Sequence, residues 1–160
     1  MGALACAKRQ VCIMTPYFIP DRPMIAALIT TALRGVDIHI VLPGLNNLPF
    51  VHWASRSLLE ELLANGIRVY YQPPPFVHTK LMLVDGVWTL VGSANFDTRS
   101  LRLNFELDLS VFDPGFSGSI SRYIDQSLSS SHEISLEELE KRSLPEKLRD
   151  NFAHLFAPYL

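Results

Sequence analysis

The chain has 160 residues, of which 48% are hydrophobic and 19% charged, and this balance predicts one globular domain with a core of ordinary size. Its formal net charge of -2 excludes a chain-wide basic field that would collect nucleic acid or an anionic membrane by charge alone. No window approaches the roughly 18 consecutive apolar residues of a membrane span. Cys6 and Cys12 match neither a metal-ligand spacing nor a disulfide framework. We therefore expect a chain that is soluble by itself.

The first half of the chain alternates strand and helix patterns. In chain order they are a strand over 11–14, a helix over 21–34, a strand over 36–42, a helix over 51–64 and a strand over 67–71. This order is typical of a mostly parallel sheet covered by helices. Three prolines at 73–75 then interrupt regular structure.

The second half begins with two strand patterns, over 78–84 and 87–91. Asp85 and Gly86 separate them and predict a hairpin, because glycine accepts the positive φ that such turns require. A further strand is predicted over 105–112 and a helix over 116–128. Together the elements predict the α/β class, as an α/β/α sandwich with a mixed, mostly parallel central sheet. We expect the strand that bears His78 to be central, with its motif end opening into a cleft.

The last segment carries helix signals. The residues from Ser135 to Glu138 form a capping-box signature. Six apolar residues farther on fall along one helical face: Leu144, Leu148, Phe152, Leu155, Phe156 and Tyr159. This face either docks on the domain or lies on a membrane surface.

His78 and Lys80 are the first candidates for chemistry. At positions i and i+2 of a strand their side chains leave the same face. An unpaired buried ammonium is costly, so this face needs a nearby anion or a wet cleft. The alternative is an edge strand with both side chains in solvent, because His-x-Lys alone is a weak signal.

Two later segments strengthen the chemical interpretation. The turn after the returning strand carries the Ser93 hydroxyl and the Asn95 amide back toward His78, and both groups donate to anionic oxygens. Glu106 is an acid that would hydrogen-bond the far ring nitrogen of His78 and fix its tautomer. A solvent-facing glutamate is the alternative for Glu106.

Six positions share the spacing His-x-Lys-x4-Asp-x6-Gly-Ser-x-Asn, and they are His78, Lys80, Asp85, Gly92, Ser93 and Asn95. With this motif the chain resembles the phospholipase D superfamily. The resemblance extends to the C-terminal half of bacterial cardiolipin synthases through residues 15–21, 32–37, 54–57, 92–97, 99–100 and 104–106. It covers nearly the whole chain, which we expect to be one catalytic half over 1–160, with a core at 10–131 and C-terminal helices at 132–160.

The resemblance implies a phosphatidyltransferase that makes cardiolipin from two phosphatidylglycerol molecules through a phosphohistidine intermediate. His78 would be the nucleophile or its partner acid, with Glu106 beside it. Lys80 and Asn95, helped by Ser93, would hold the non-bridging phosphate oxygens. From its position in the turn, Asp85 is expected to be structural, and the resemblance adds a hydrogen bond within the paired active site. No metal or other cofactor is expected.

Phosphoryl transfer of this kind needs two histidines, one that attacks and one that protonates the leaving alkoxide. The chain carries one motif, so the resemblance implies a missing N-terminal half or a second identical chain. We favour the missing half, because only a short stretch precedes the first strand. The resemblance further implies a phospholipid substrate, a membrane surface and the bacterial inner membrane for the full-length protein. The chain alone would be soluble, cytoplasmic or peripheral.

Three alternatives remain at this point. Water as the acceptor would give a phospholipase D, and two copies of the chain would give a homodimeric nuclease, although the acidic balance argues against nucleic acid. A non-catalytic interaction half is the alternative of another class.

Aromatic residues near the expected site either receive parts of a lipid or belong to the core. They are Tyr17, Phe18, Phe50, Trp53 and Phe76.

Overall fold

The computed structural model describes residues 1–157, built from seven helices and nine strands within that range. The helices are α1 Gly2–Cys6, α2 Arg22–Leu33, α3 Pro49–Ala64, α4 Thr98–Arg102, α5 Pro114–Ser130, α6 Leu136–Glu140 and α7 Leu144–His154. The strands are β1 Gln10–Met14, β2 Phe18–Ile19, β3 Asp37–Pro43, β4 Arg68–Gln72, β5 Leu81–Val84, β6 Trp88–Gly92, β7 Phe96–Asp97, β8 Asp108–Phe112 and β9 His132–Glu133. None of these helices is long and apolar enough to span a bilayer.

Seven strands form the main sheet in the order β8-β6-β5-β1-β3-β4-β9. The pairs β1–β3 and β3–β4 are parallel, and the other four neighbouring pairs are antiparallel. Four of the seven strands, β1, β3, β4 and β6, therefore run in one direction. Strands β2 and β7 form a separate parallel pair. The predicted sandwich around a mixed sheet is confirmed.

Strand β1 shows how the sequence separates the two faces of this sheet. Val11 and Ile13 point into a cluster with residues of α2 and α3, whereas Cys12 and Met14 pack on the other face with α5. All four side chains are buried. Burial raises the pKa of the Cys12 thiol to about 12, so this group stays neutral in the core.

Two predicted strands are shorter in the structure than expected. The strand expected at 78–84 begins at Leu81, because its partner β1 ends at Met14, which pairs with Leu81. His78 therefore lies in the connection before β5, and the expectation that its strand is central was wrong: β1 holds the centre and β5 lies beside it. The strand expected from Phe105 begins at Asp108, which forms the last pair with β6.

Several short elements were not predicted, namely β2, β7, α4 and β9. Other predictions are confirmed at the residue level. Asp85 and Gly86 form the hairpin turn with φ values of 54° and 72°. Ser135 and Glu138 close a capping box at the start of α6. The predicted position of Tyr159 on the last apolar face lies outside the described residues.

Candidate active site

One edge of the sheet collects most of the candidate residues. The carboxyl ends of β1 and β3 lie at this edge, and β5 starts there because it runs antiparallel to β1. The connection that carries His78 and Lys80 enters β5 at this edge, and the turn with Ser93 leaves β6 beside it. The segment that carries Glu106 then leads into β8. Antiparallel pairing of β5, β6 and β8 thus brings three distant segments together.

His78 and Lys80 contact each other directly. The Nζ atom of Lys80 lies 2.8 Å from Nδ1 and 3.3 Å from Nε2 of His78, and it donates to the His78 carbonyl oxygen at 3.3 Å. Burial and the Lys80 cation lower the pKa of His78. Burial also lowers the pKa of Lys80, although the carboxylates of Glu106 and Asp97 partly oppose it. A neutral imidazole, the form that can attack phosphorus, is therefore favoured next to a cation.

Aromatic rings line one side of His78. The ring centroids of Tyr17 and Phe76 each lie 5.8 Å from that of the imidazole. The Tyr17 hydroxyl donates to Asn47 Oδ1 at 2.9 Å, which links this wall to the loop before α3. Tyr17 and Phe76 are half-buried at the site, whereas Phe18 belongs to the core.

Ser93 and Glu106 form the polar side of the site. The Ser93 hydroxyl donates to Glu106 Oε2 at 2.5 Å and accepts from the Leu107 amide at 2.9 Å. Asn104 Nδ2 donates to Glu106 Oε1 at 3.1 Å. The hydrogen bonds from Ser93 and Asn104 lower the pKa of Glu106, which keeps it ionised. The expected hydrogen bond from a His78 ring N–H to Glu106 is not formed in the described structure, where the ring nitrogens contact Lys80 Nζ and Glu106 accepts from Ser93 and Asn104.

Gly92 brings this turn close to Lys80. Its amide donates to the Lys80 carbonyl oxygen at 3.3 Å. A Cβ atom at this position would lie 2.3 Å from the Leu107 carbonyl oxygen and 2.1 Å from Asp108 Oδ1. Only glycine therefore allows the segment before β8 to pass so near.

We expect Gly92→Ala to lower the free energy of unfolding by about 1–3 kcal/mol, because the backbone of Leu107 must move. Urea denaturation would measure this loss. Gly118→Ala is the matched control, since a Cβ atom there meets nothing within 4 Å. A helix-interior alanine should leave stability unchanged or raise it. Equal stability of Gly92→Ala and the parent chain would contradict the close approach.

Asn95 lies beside the site but is directed into the protein. Its Nδ2 donates to Ser100 Oγ at 3.1 Å, and its Oδ1 is buried with no hydrogen-bond partner in the described part of the chain. Asp97 accepts from the Ser100 amide at 2.6 Å and caps α4. Burial raises the pKa of Asp97. The contacts of Ser100 with Asn95 and Asp97 were not predicted from the sequence, although the Asp-x-x-Ser spacing is an N-cap signal.

Asp85 lies away from these groups, which differs from the expected hydrogen bond of Asp85 within the active site. Five residue steps along β5 separate it from Lys80, about 16–17 Å at 3.3 Å per residue. Its carboxylate accepts from the amides of Lys8, Arg9 and Gln10 at 2.9, 2.8 and 3.0 Å. These bonds give Asp85 a structural role at the opposite end of β5, where it holds the entry to β1.

We expect Asp85→Asn to destabilise the fold by about 1–3 kcal/mol at neutral pH, because charged hydrogen bonds to three amides are weakened. Burial alone would raise the pKa of Asp85, but the amide bonds outweigh it and the net shift is downward. A lowered folded-state pKa stabilises the protein above the unfolded-state pKa, and this stabilisation disappears as the pH falls through the folded-state pKa. Urea unfolding across that range should show the two chains converging in acid. Asp125→Asn, at an exposed aspartate of α5, is the control and should leave the free energy of unfolding at neutral pH unchanged.

Within residues 1–157, no three side chains of His, Cys, Asp or Glu converge as a metal ion would require. The groups that converge at the sheet edge are a neutral base, an ammonium, a hydroxyl and a carboxylate. This set can hold an anion next to a nitrogen nucleophile.

Comparison with known proteins places this geometry in a family. Residues 1–128 match the family model described as "Cardiolipin synthase, PLD-like domain". Cardiolipin synthase A of Citrobacter koseri is 40% identical over all 160 residues, and that of Serratia proteamaculans is 39% identical over the same length. The match covers 33% of each relative, so the chain spans about a third of the length of the curated relatives.

Solved structures share the fold at low identity. The phospholipase D family member Nuc from Salmonella typhimurium superposes with a TM-score of 0.74 at 23% identity, over 84% of this chain and 87% of Nuc. Phosphatidylserine synthase from Haemophilus influenzae gives 0.79 at 17% identity, over 99% of this chain and 43% of that enzyme. The fold and the site define a phospholipase D-like domain. The chain belongs to the cardiolipin synthase, phospholipase D-like domain family.

Proposed function

We propose that this chain is a catalytic half of a phosphatidyltransferase that makes cardiolipin from two phosphatidylglycerol molecules at the bacterial inner membrane. The contact between Lys80 Nζ and His78 Nδ1 at 2.8 Å carries the proposal. It couples a base that is favoured in its neutral form to a cation that can receive a phosphate. The curated relatives named cardiolipin synthase A support this choice of reaction.

In the first step, a ring nitrogen of His78 donates its lone pair to the phosphorus of one phosphatidylglycerol. The bond from phosphorus to the glycerol headgroup breaks, and a second histidine gives its proton to the leaving alkoxide, so glycerol departs. In the second step, the same second histidine takes the proton from the headgroup hydroxyl of another phosphatidylglycerol. That oxygen attacks phosphorus, the nitrogen–phosphorus bond breaks, and His78 is restored with cardiolipin as product.

The other site residues would stabilise charge rather than form bonds. Lys80 would neutralise the non-bridging oxygens as negative charge grows in the transition state. Ser93 would turn its hydroxyl from Glu106 to the same phosphate, while the Leu107 amide, which donates to Ser93 Oγ, keeps the turn in place. Glu106 would stay bonded to Asn104. Asn95 requires a further change, since its side chain is directed to Ser100 and must turn before Nδ2 reaches a phosphate oxygen.

The second histidine would come from a motif-bearing half outside this chain, with a second copy as the alternative. Five exposed apolar residues next to the site form a surface that supports such a partner, named here the β8 edge surface: Leu101, Leu103, Phe105, Leu107 and Leu109. Strand β8 ends the sheet, so its outer backbone groups have no strand partner in the described residues. A protein partner can satisfy such an edge.

A product assay tests the proposed reaction. The full-length protein would be incubated with vesicles that contain phosphatidylglycerol, and the products would be separated. Cardiolipin and glycerol in equal amounts support phosphatidyl transfer. Phosphatidic acid and glycerol would replace transfer with hydrolysis, and the absence of any lipid product would overturn both.

A further inference from the structure

Helix α7 presents an apolar face that the protein leaves uncovered. Five residues of α7 and the turn after it are between 42% and 72% exposed, and we name them the α7 stripe: Leu144, Leu148, Phe152, Leu155 and Phe156. At 100° per residue, they fall within one third of the helix circumference. The opposite face, with Asp150 and Ala153, is buried against α3. The helix is therefore anchored by one face and free on the other.

The α7 stripe reaches the edge of the sheet that carries His78. The ring of Phe156 packs against Phe50 at 5.7 Å, and Phe50 lies in the first turn of α3. The loop just before α3 exposes Leu45 and Leu48, and its Asn47 holds the Tyr17 ring that lines His78. One apolar surface therefore extends from α7 to the rim of the candidate site.

Basic residues flank the stripe. On the helical wheel Lys147 lies at one border and Arg149 at the other, and the Arg149 guanidinium stacks 4.5 Å above the Trp53 ring. The Asp150 carboxylate is bonded by three arginines, Arg56, Arg142 and Arg149, so that positive charge is in excess around it. Glu60 and Glu146 cancel this excess of two charges, so Lys147 supplies the net positive charge beside the stripe. An apolar stripe with basic borders is complementary to an anionic lipid surface.

The backbone distinguishes the α7 stripe from the β8 edge surface. The outer backbone groups of β8 need hydrogen-bond partners, which hydrocarbon cannot provide, so that surface is unsuited to lipid. The backbone of α7 is bonded within the helix, with a capping box of Ser143 and Glu146 at its start. Of these two surfaces, only the α7 stripe can enter the lipid boundary without leaving backbone groups unsatisfied.

We propose that the α7 stripe, together with Leu45 and Leu48, is a membrane-docking surface that lies on anionic phospholipid and brings the rim of the His78 site to the headgroups. The choice of phosphatidylglycerol as the anionic lipid rests on the proposed function. Docking itself does not, since it requires no turnover.

Vesicle binding of the 160-residue chain tests the docking surface. The probes are vesicles of equimolar phosphatidylglycerol and phosphatidylcholine, and vesicles of phosphatidylcholine alone. We expect tighter binding to the anionic vesicles, weakened by salt. The double variant Leu148→Gln, Leu155→Gln should bind these vesicles about tenfold or more weakly, because two inserted leucines are lost. Leu33→Gln is the matched control, since Leu33 is 74% exposed at the end of α2, and it should bind as the parent chain does.

Three results would overturn the docking proposal. They are no binding by the parent chain, equal binding by the double variant, and a self-association in lipid-free buffer that the double variant abolishes in sedimentation velocity. The last result would assign the stripe to a second copy. Unfolding in urea should be unchanged in the double variant, because both leucines are exposed.

His78→Asn separates this proposal from the catalytic one, because the variant should still bind the vesicles. In the full-length protein, the double variant should lower turnover of phosphatidylglycerol in vesicles but not of a short-chain, monomeric phosphatidylglycerol. An equal loss toward both substrates would assign the stripe to contacts within the protein and contradict docking. If the parent protein has no activity toward phosphatidylglycerol, that result contradicts the proposed reaction but not the docking proposal.

Discussion

His78→Asn should reduce turnover of the full-length protein by at least about 10³-fold, because asparagine has no lone pair that can attack phosphorus. The loss should appear in kcat, with little change in the free energy of unfolding. His78 lies in an irregular connection, and it is exposed rather than part of the core. Its substitution therefore removes chemistry without creating a cavity.

The matched control is His132→Asn. His132 is an exposed residue of β9 whose ring lies 2.9 Å from Glu138 Oε1, and it is separated from the site by β4, β3 and β1. Its substitution should leave turnover within a factor of about two, as expected for a surface residue away from the site. Turnover that survives in His78→Asn would contradict a catalytic role for this half and would favour the non-catalytic interaction half.

Lys80→Gln is expected to have the second largest effect, a loss of about 10²–10³-fold in kcat. The reason is that a preorganised cation near the phosphate stabilises the charge of the transition state more than that of the ground state. Lys141→Gln is the control, since Lys141 is an exposed lysine paired with Glu137 on α6. It should leave kcat unchanged. A rise in KM alone for Lys80→Gln would show uniform binding of substrate and contradict the proposed role.

The same variant changes the titration of His78. Because the Lys80 cation contributes to the lowered pKa of His78, its removal should raise that pKa, while burial, the larger cause, continues to hold it down. Nuclear magnetic resonance of the imidazole protons would measure the shift. The acidic limb of the pH–rate profile should move to higher pH with it. An unchanged His78 pKa would show that the contact between the two side chains is absent in solution.

The sequence was sufficient for the architecture where local patterns and pairing agree. The alternation of strands and helices from Val11 to Tyr71 and the turn at Asp85 each follow from periodicity and turn chemistry. The sequence did not predict the end of a strand where that end depends on the neighbouring strand in the sheet. The strand pattern continues through His78, but β1 stops at Met14 and leaves no neighbour for it.

The candidate site shows a similar division. The spacing of the motif identified His78, Lys80 and Ser93, and the later strand pattern added Glu106 to this group at one sheet edge. It did not predict that Ser93 would take the Glu106 carboxylate, or that Asn95 would turn to Ser100, because these contacts depend on the path of the chain between β6 and β8. Asp85 shares the motif spacing with His78, but the length of β5 places it at the other edge.

The most direct test of the account is a search for a covalent adduct. The full-length protein would be mixed with phosphatidylglycerol, quenched in alkali and digested, and the peptides examined by mass spectrometry. We expect a phosphatidyl group on the peptide that contains His78, absent in His78→Asn and present in His132→Asn. A phosphatidyl group on a histidine outside this chain, with none on His78, would contradict the proposal that His78 is the nucleophile.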